Sequence, residues 1–322
     1  MRIEAERIVR RYGRTEALRG ASLDIVSGSF HAILGPSGSG KSTLLRILAG
    51  LEAADEGILS FDARVEPTEP VVLVFQDYLL FPHMTVSENV GFGLRAARVS
   101  RTERERRVAE LLSVFRLSDK ADEYPSRLSG GQRQRVAIAR ALAVRPGAVL
   151  LDEPFANLDR TLKRETAEFL RDTQRNFGIT TVCVTHDREE AFAVADRISL
   201  LVEGRVEVEG CPREIYRDSL AGPYADLMGP VVALPSGLGA PKGTYRPEDL
   251  FPDPAPGAPC ILRDSIFLGS YTSYEVETGG RILRIFAESR ELPAGATLWF
   301  RARRSGAVAG TAPNLGVSEV SA

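Results

Sequence analysis

The sequence predicts a two-part chain: an α/β core with an inserted helical lobe, followed by a small all-β domain. Three observations predict it. Short β-branched runs alternate with stretches of helical spacing, a glycine-rich loop joins one such run to one such stretch, and after Met228 the texture turns to Gly/Pro-rich sequence followed by apolar and polar residues in alternation. The 322 residues, 43% hydrophobic and 26% charged, have ordinary globular composition. They are enough for two domains of about 100 to 200 residues, each with its own core.

From Ser29, "SFHAIL" reads as a strand; the loop of residues 35–40 follows, and "KSTLLRILAGL" runs at helical spacing until Gly50 can stop it. The runs "VVLVF" (71–75), "AVLL" (148–151), "TTVCVT" (180–185) and "RISLLV" (197–202) are separated by helical stretches, which predicts a largely parallel sheet covered on both faces. Between "FQDYLLFPHMTV" and "LSGGQ" lies "SRTERERRVAELLSVFRL", with Val108, Leu111, Leu112 and Phe115 at apolar helical spacing. This is the inserted lobe, and its run "RTERERR" reads as a solvated helix face. The predicted boundaries are 1–227 for the α/β core, 228–243 for a linker, and 244–322 for a small β-barrel that ends in a loose tail. The barrel strands are expected in "CILRDSIFLGSYTSYEV", "ILRIFA" and "TLWFRARR", with "TGGR" as a turn.

Composition excludes several functions. A net charge of −2, from 41 basic and 43 acidic residues, exerts no global pull on nucleic acid or an anionic membrane. Cys183, Cys211 and Cys260 have neither disulfide-framework nor zinc-site spacing. The start "MRIEAERIVRRYG" lacks the apolar core of a secretory signal, and the apolar runs fall short of the roughly 18 residues of a membrane span. Any work at a membrane therefore needs other chains to do the spanning.

Two motifs carry phosphate chemistry. "GPSGSGKST" (35–43) matches G-x-x-x-x-G-K-[ST] between a strand and a helix. Around Gly35, Ser37, Gly38, Ser39 and Gly40, the N–H groups of residues 37–42 are expected to wrap a β-phosphate. Lys41 is expected to neutralise β and γ oxygens, and Ser42 to place its hydroxyl on Mg²⁺. Thr43 completes the motif. The run "AVLLDEP" ends an apolar strand in Asp152, suited to hold Mg²⁺ through water, and Glu153 beside it is suited to orient an attacking water as base. "LSGGQRQR" supplies a second pair of glycines at a helix start, another anion nest. His31 and His83 lack such context and are assigned no chemistry.

The order of these motifs resembles that of the nucleotide-binding subunits of ABC transporters over residues 1–225: Tyr12, the loop at 35–43, Gln76, "LSGGQ" at 128–132, "LLDEP" at 150–154, "NLD" at 157–159 and His186 in "VTHD". The resemblance implies a P-loop NTPase core with an inserted helical lobe, ATP and Mg²⁺ as cofactors, and ATP hydrolysis. It implies that Tyr12 stacks on adenine, that Gln76 senses Mg²⁺ and the γ-phosphate, that the Asp159 segment crosses a dimer interface, and that His186 contacts the γ-phosphate. It also gives the second glycine cradle a reason. In that family Ser129, Gly130, Gly131 and Gln132 of one subunit would cover the nucleotide on the P-loop of the other, so a head-to-tail homodimer is expected. Where the family has S-A-L-D, this chain has Ala156 and Asn157 before Leu158 and Asp159, and the strand before Gln76 lacks the Arg frequent in relatives.

"GTYRPEDL" and "FLGSYTSYEV" resemble the C-terminal β-barrel extension of importer ATPases for polyamines, ferric iron, sulfate, phosphonates, opines and sugars. The implied partners are transmembrane permease subunits and, indirectly, an external solute-binding protein, with no nucleic acid and a peripheral place on the cytoplasmic face of the inner membrane. Tyr78, Leu80, Phe81 and Met84 are expected to be exposed and to line a groove for a short permease helix. The short extension favours polyamine, iron or a similar small charged solute over sugars. Two alternatives stay open: a soluble ABC ATPase of DNA repair or translation, and a regulatory ATPase whose C-terminal domain senses a ligand.

Overall fold

The computed structural model describes residues 1–62, 70–156, 158–220 and 224–303. The chain forms two compact units that divide between Ile215 and Tyr216.

The first unit is built on a six-stranded sheet. Its strands are β3 (Phe30–Leu34), β5 (Val71–Val74), β6 (Ala148–Asp152), β7 (Thr180–Thr185), β8 (Arg197–Val202) and β9 (Arg205–Gly210), in the order β5-β6-β7-β3-β8-β9. The first five are parallel and β9 is antiparallel to β8. All residues of β3 and β7 are buried, which is why they read as unbroken apolar runs rather than as alternating ones. The helix α1 (Lys41–Leu48) follows β3, and its Leu44, Leu45 and Leu48 share one core with Ile33, Leu150 and Val182 of the sheet.

A second, antiparallel sheet of β2 (Thr15–Ile25), β1 (Ile3–Tyr12) and β4 (Glu56–Phe61), in that order, contributes Ile3, Leu18 and Leu23 to the same core. Sequence patterning did not expose this sheet. The pairing of β1 slips at three places against β2, and Arg7 lies in the left-handed region at φ +49°, so the period-two alternation is broken.

The helical lobe is inserted between β5 and β6 and consists of α2 (Val86–Ala96), α3 (Arg101–Val114) and α4 (Gly130–Ala143). A capping box between Thr85 and Glu88 starts α2, and Ser100 caps α3. Val108, Leu111 and Leu112 are the buried face of α3, as their spacing predicts. The charged residues of "RTERERR" pair along the helix, Arg101 with Glu105 and Arg106 with Glu103. After β6 come α5 (Arg160–Phe177), α6 (Arg188–Val194) and α7 (Pro212–Asp218), within which the division between units falls.

The second unit holds a five-stranded antiparallel sheet: β12 (Leu250–Pro254), β13 (Cys260–Phe267), β14 (Thr272–Thr278), β15 (Arg281–Ala287) and β16 (Thr297–Ala302), in the order β12-β16-β13-β14-β15. The N–H of Glu288 donates to Leu250 O at 2.8 Å, joining the end of β15 back to β12. Residues 228–243 are not the linker that their glycines and prolines suggest. They carry β10 (Val232–Leu234), paired with β11 (Gly243–Tyr245), and their Val232, Leu234, Leu238 and Ala240 are buried in the core of this unit. Arg246, 2% exposed, explains why the division precedes residue 228: its guanidinium donates to Gly229 O at 2.5 Å and Ser219 O at 2.7 Å and lies 4.7 Å from the Tyr216 ring centroid. The expected tail beyond residue 303 lies outside the described residues.

Candidate active site

The loop between β3 and α1 owes its path to glycine. A Cβ on Gly35 would lie 2.1 Å from Leu201 O, and one on Gly40, at φ +102°, would lie 2.5 Å from Ala17 O. Both are contacts with backbone that cannot yield, so only glycine lets the loop settle between β8 and β2. Gly38 is left-handed at φ +80° with open space around it. The Ser39 hydroxyl is buried without a hydrogen-bond partner among the described residues. The Lys41 ammonium donates to Gly35 O at 2.8 Å and Pro36 O at 2.9 Å, so it is folded back over the mouth of its own loop. Burial pulls its pKa down, against the opposing pull of Glu153 and Asp152. A buried ammonium, on a residue only 6% exposed, whose neighbours are carbonyls and carboxylates, beside left-handed glycines, fits a polyphosphate.

Two pairs of side chains complete this end of the sheet. The Ser42 hydroxyl donates to Asp152 Oδ1 at 3.1 Å, bringing the first turn of α1 to the end of β6. Burial raises the pKa of Asp152, the Ser42 hydrogen bond lowers it, and the neighbouring Glu153 raises it further. A hydroxyl and a carboxylate are the hard oxygen donors that suit Mg²⁺ shared with a polyphosphate. Among the described residues, no three His, Cys, Asp or Glu side chains gather into a metal cluster. Beyond the sheet, His186 Nδ1 lies 3.4 Å from Glu153 Oε1. Glu153 sits at φ +44°, an uncommon conformation for a residue with a side chain, and its N–H continues the ladder to Val184 O at 3.2 Å.

Of the remaining predicted residues, Gln76 lies in an exposed turn after β5, next to the strand that carries Asp152. Thr43 is buried, and its Oγ1 accepts from Arg46 at 3.5 Å. Tyr12 ends β1 with 43% of its surface exposed. Asp159 caps α5 by accepting from Leu162 N at 3.0 Å, while Asn157 lies outside the described residues.

The second glycine cradle stands apart. Ser129 caps α4, with its Oγ accepting from Gln132 N at 3.3 Å and Gln132 Oε1 accepting from Ser129 N at 2.8 Å. A Cβ on Gly130 would meet nothing within 4 Å, and one on Gly131 only Leu162 Cδ1 at 3.9 Å. This N-terminus therefore presents open glycine backbone. Among the described residues no hydrogen bond joins it to the phosphate loop.

Three supporting residues escaped the sequence reading. Gln134, 2% exposed, donates to Pro154 O at 3.0 Å and so braces the turn after Glu153 from α4. Lys163 pairs with the nearly buried Glu190 at 2.7 Å and with Asp187 at 3.4 Å, tying α5 to the residue after His186. Glu52 accepts the Tyr12 hydroxyl. The one available signal was Gln134, a polar residue on the apolar face of α4.

The groove residues need a correction. Tyr78, Leu80, Phe81 and Met84 are half-buried rather than exposed. Phe81 lies 4.4 Å from Phe92 between ring centroids, and Arg140 donates to Tyr78 O and Leu79 O. It is Leu79, 55% exposed and left-handed at φ +41°, that projects from this turn.

Comparison with known proteins decides the family. Residues 18–156 match the family model described as ABC transporter, and residues 245–309 match the TOBE domain. The sulfate/thiosulfate import ATP-binding protein of Thermosynechococcus vestitus is 47% identical over 258 residues, covering 78% of this chain and 76% of that protein. The chain belongs to the import ATP-binding subunits of ABC transporters. The protein of the same description from Bradyrhizobium diazoefficiens is 44% identical over 270 residues, covering 80% of this chain and 78% of its own. Among solved structures, the dimeric ATP-binding cassette MJ0796 bound to ADP and Pi is 35% identical with a TM-score of 0.57, covering 66% of this chain and 99% of that one. The cassette cbiO1 of Clostridium perfringens, part of the ABC transporter complex cbiONQ, is 32% identical with a TM-score of 0.61, covering 66% of this chain and 90% of that one.

This ABC subunit is thus an ATP-binding, ATP-hydrolysing α/β cassette with a C-terminal all-β extension, and hydrolysis is coupled to import through permease subunits. Among the described residues no helix is long and apolar enough to cross a membrane.

Proposed function

We propose that this chain energises the import of sulfate or thiosulfate by closing on ATP as a head-to-tail homodimer. The observation that carries the mechanism is the adjacency of the Ser42–Asp152 and Glu153–His186 pairs, beside Lys41, where β3, β6 and β7 end. Lys41 exchanges the carbonyls of Gly35 and Pro36 for β and γ oxygens, and the N–H groups of residues 37–42 enclose the β-phosphate. Ser42, Asp152 and Gln76 are the residues that would hold Mg²⁺, which when bound neutralises phosphate charge. Glu153 takes a proton from the attacking water as general base, and His186 contacts the γ-phosphate. Tyr12 stacks on adenine.

Ser129, Gly130, Gly131 and Gln132 serve the partner's nucleotide, which accounts for the open face of that helix start, and the segment at Asp159 crosses the interface. Each ATP then acts as glue between subunits, and hydrolysis releases it. The cassette docks on permease subunits at the cytoplasmic face of the membrane, and an external binding protein delivers the solute.

The solute rests on the names of the relatives. They specify sulfate and thiosulfate rather than polyamine or iron, which is compatible with the similar small charged solute that the sequence favours, and they favour import over repair, translation or a purely regulatory role. The test is reconstitution with its permease subunits and solute-binding protein. Radiolabelled sulfate should accumulate in an ATP-dependent manner, with competition by thiosulfate. Uptake of spermidine or ferric iron without sulfate uptake would reject the assignment.

A further inference from the structure

Glu52 lies just beyond α1, and its carboxylate gathers three donors from two elements. Oε1 accepts the Tyr12 hydroxyl and, at 2.7 Å, Arg10 Nε, both from β1; Oε2 accepts Arg46 Nε at 3.1 Å, from the last turn of α1. The Glu52 side chain is only 15% exposed. Asp55 adds a second hold on Arg10 at 2.9 Å and accepts Arg11 N at 2.6 Å. The Arg10 guanidinium lies 5.0 Å from the centroid of the Tyr12 ring. The tip of the ring is therefore anchored and one side carries a cation, while 43% of the residue stays open to solvent. From Arg46 the connection continues to Thr43 Oγ1, at 3.5 Å, within the phosphate-loop motif.

We propose that Glu52 is a positioning residue for the base of the nucleotide: it holds the Tyr12 ring as a preformed stacking platform and ties that platform to the phosphate-loop helix through Arg46. The proposal rests on the reading of Tyr12 as the residue that stacks on adenine. An unanchored tyrosine at a strand end samples several rotamers and loses that freedom when a base stacks on it. A ring already held does not, so more of the stacking energy appears as affinity. Strand pairing does not require this cluster, because β1 is bonded to β2 and β4 through its backbone. The carboxylate is shared instead between the two elements that meet the two ends of a nucleotide.

The experiment compares ATP with inorganic tripolyphosphate, which has the phosphates and no base, on the full-length protein. Glu52→Gln keeps the shape of the side chain and removes its charge. It should raise KM for ATP by about three- to tenfold with kcat held within about twofold, and leave the dissociation constant of tripolyphosphate unchanged. Tyr12→Phe, which keeps the ring and removes its anchor, should shift KM in the same direction by a smaller factor. In a Tyr12→Ala background, Glu52→Gln should add nothing further. Equal weakening of ATP and tripolyphosphate by Glu52→Gln, or an unchanged KM, would overturn the proposal while leaving Tyr12 as the platform if Tyr12→Ala alone weakens ATP. Unaltered ATP affinity in Tyr12→Ala would remove the platform reading itself, and the proposal with it.

Discussion

His186 Nδ1 stands 3.4 Å from Glu153 Oε1, although 33 residues of chain separate them. Parallel pairing of β6 with β7 creates this relationship, since the two side chains follow strands that end side by side. The left-handed backbone at Glu153 then turns its carboxylate off the strand end. A base needs this: a side chain within reach of the phosphate yet not consumed by a strong partner.

Glu153→Gln should accordingly lower kcat by about 10²- to 10⁴-fold, the usual range for a general base, with ATP affinity preserved. Single-turnover hydrolysis and equilibrium nucleotide binding separate the two effects. A variant with near-normal kcat would remove Glu153 from the role of base.

Leu79, 55% exposed on the turn after β5, is the side chain to test as a permease contact. Leu79→Asp should leave the isolated protein folded and its ATPase near normal, because Leu79 is exposed and exposed substitutions rarely change stability by more than about 0.5 kcal/mol. In the assembled transporter it should abolish stimulation of that rate by the permease. Unimpaired stimulation would place the docking contact elsewhere.

His31, fully buried on β3, bonds Ser199 Oγ at 2.8 Å, and Ser199 in turn donates to Glu209 at 3.1 Å. Burial lowers the His31 pKa to about 4 from an ordinary value of 6.5, with Arg197 acting in the same direction and Glu209 and Asp24 opposing. The folded state thus keeps the ring neutral where the unfolded chain protonates it. The contribution to stability is complete above pH 6.5 and is lost as pH falls toward 4, by up to about 3 kcal/mol. Thermal melts of the wild type should show this decline between those limits, and His31→Gln should flatten it. An equal decline in the variant would assign the acid sensitivity to other groups.

The division between Ile215 and Tyr216 has a consequence for truncation. A chain ending at residue 218, which completes α7, should fold and bind ATP, whereas one ending at 227 keeps Ser219, whose carbonyl Arg246 holds, and removes Arg246. The longer truncation should be the less soluble of the two. In the full-length protein, Arg246→Ala should destabilise the C-terminal unit by about 3 kcal/mol, since a buried set of carbonyls loses its charged donor. A truncation at 218 that fails to bind nucleotide would make the two units interdependent.

Residues whose constraint is local were the legible ones. The loop at 35–43 is glycine-bound between an apolar strand and a helix, and the apolar runs 71–74, 148–152, 180–185 and 197–202 form strands close to where their composition puts them. The same holds for Asp152 and Glu153 at a strand end. Illegible were the features that depend on distant partners. The bulged β1 hides its alternation, Val232 and Leu234 form a strand only because Gly243–Tyr245 pairs with them, and Arg246 reaches backbone carbonyls that carry no mark in the sequence. Glu52, Gln134 and Lys163 each brace a functional segment from another element, and none belongs to a motif.

Under the proposed mechanism each nucleotide is held between the phosphate loop of one chain and residues 128–132 of its partner. A mixed dimer tests it most directly, with Lys41→Ala in one chain and Ser129→Arg in the other, both chains also carrying Glu153→Gln so that bound ATP stays trapped. If the cradles act across the interface, both lesions fall in one composite site and the second site remains whole. Trapped-nucleotide counting should then give close to one ATP per mixed dimer and none in either parental homodimer. A stable mixed dimer that retains no ATP, or a Ser129→Arg homodimer that retains two, would rule out sharing of each nucleotide across the interface.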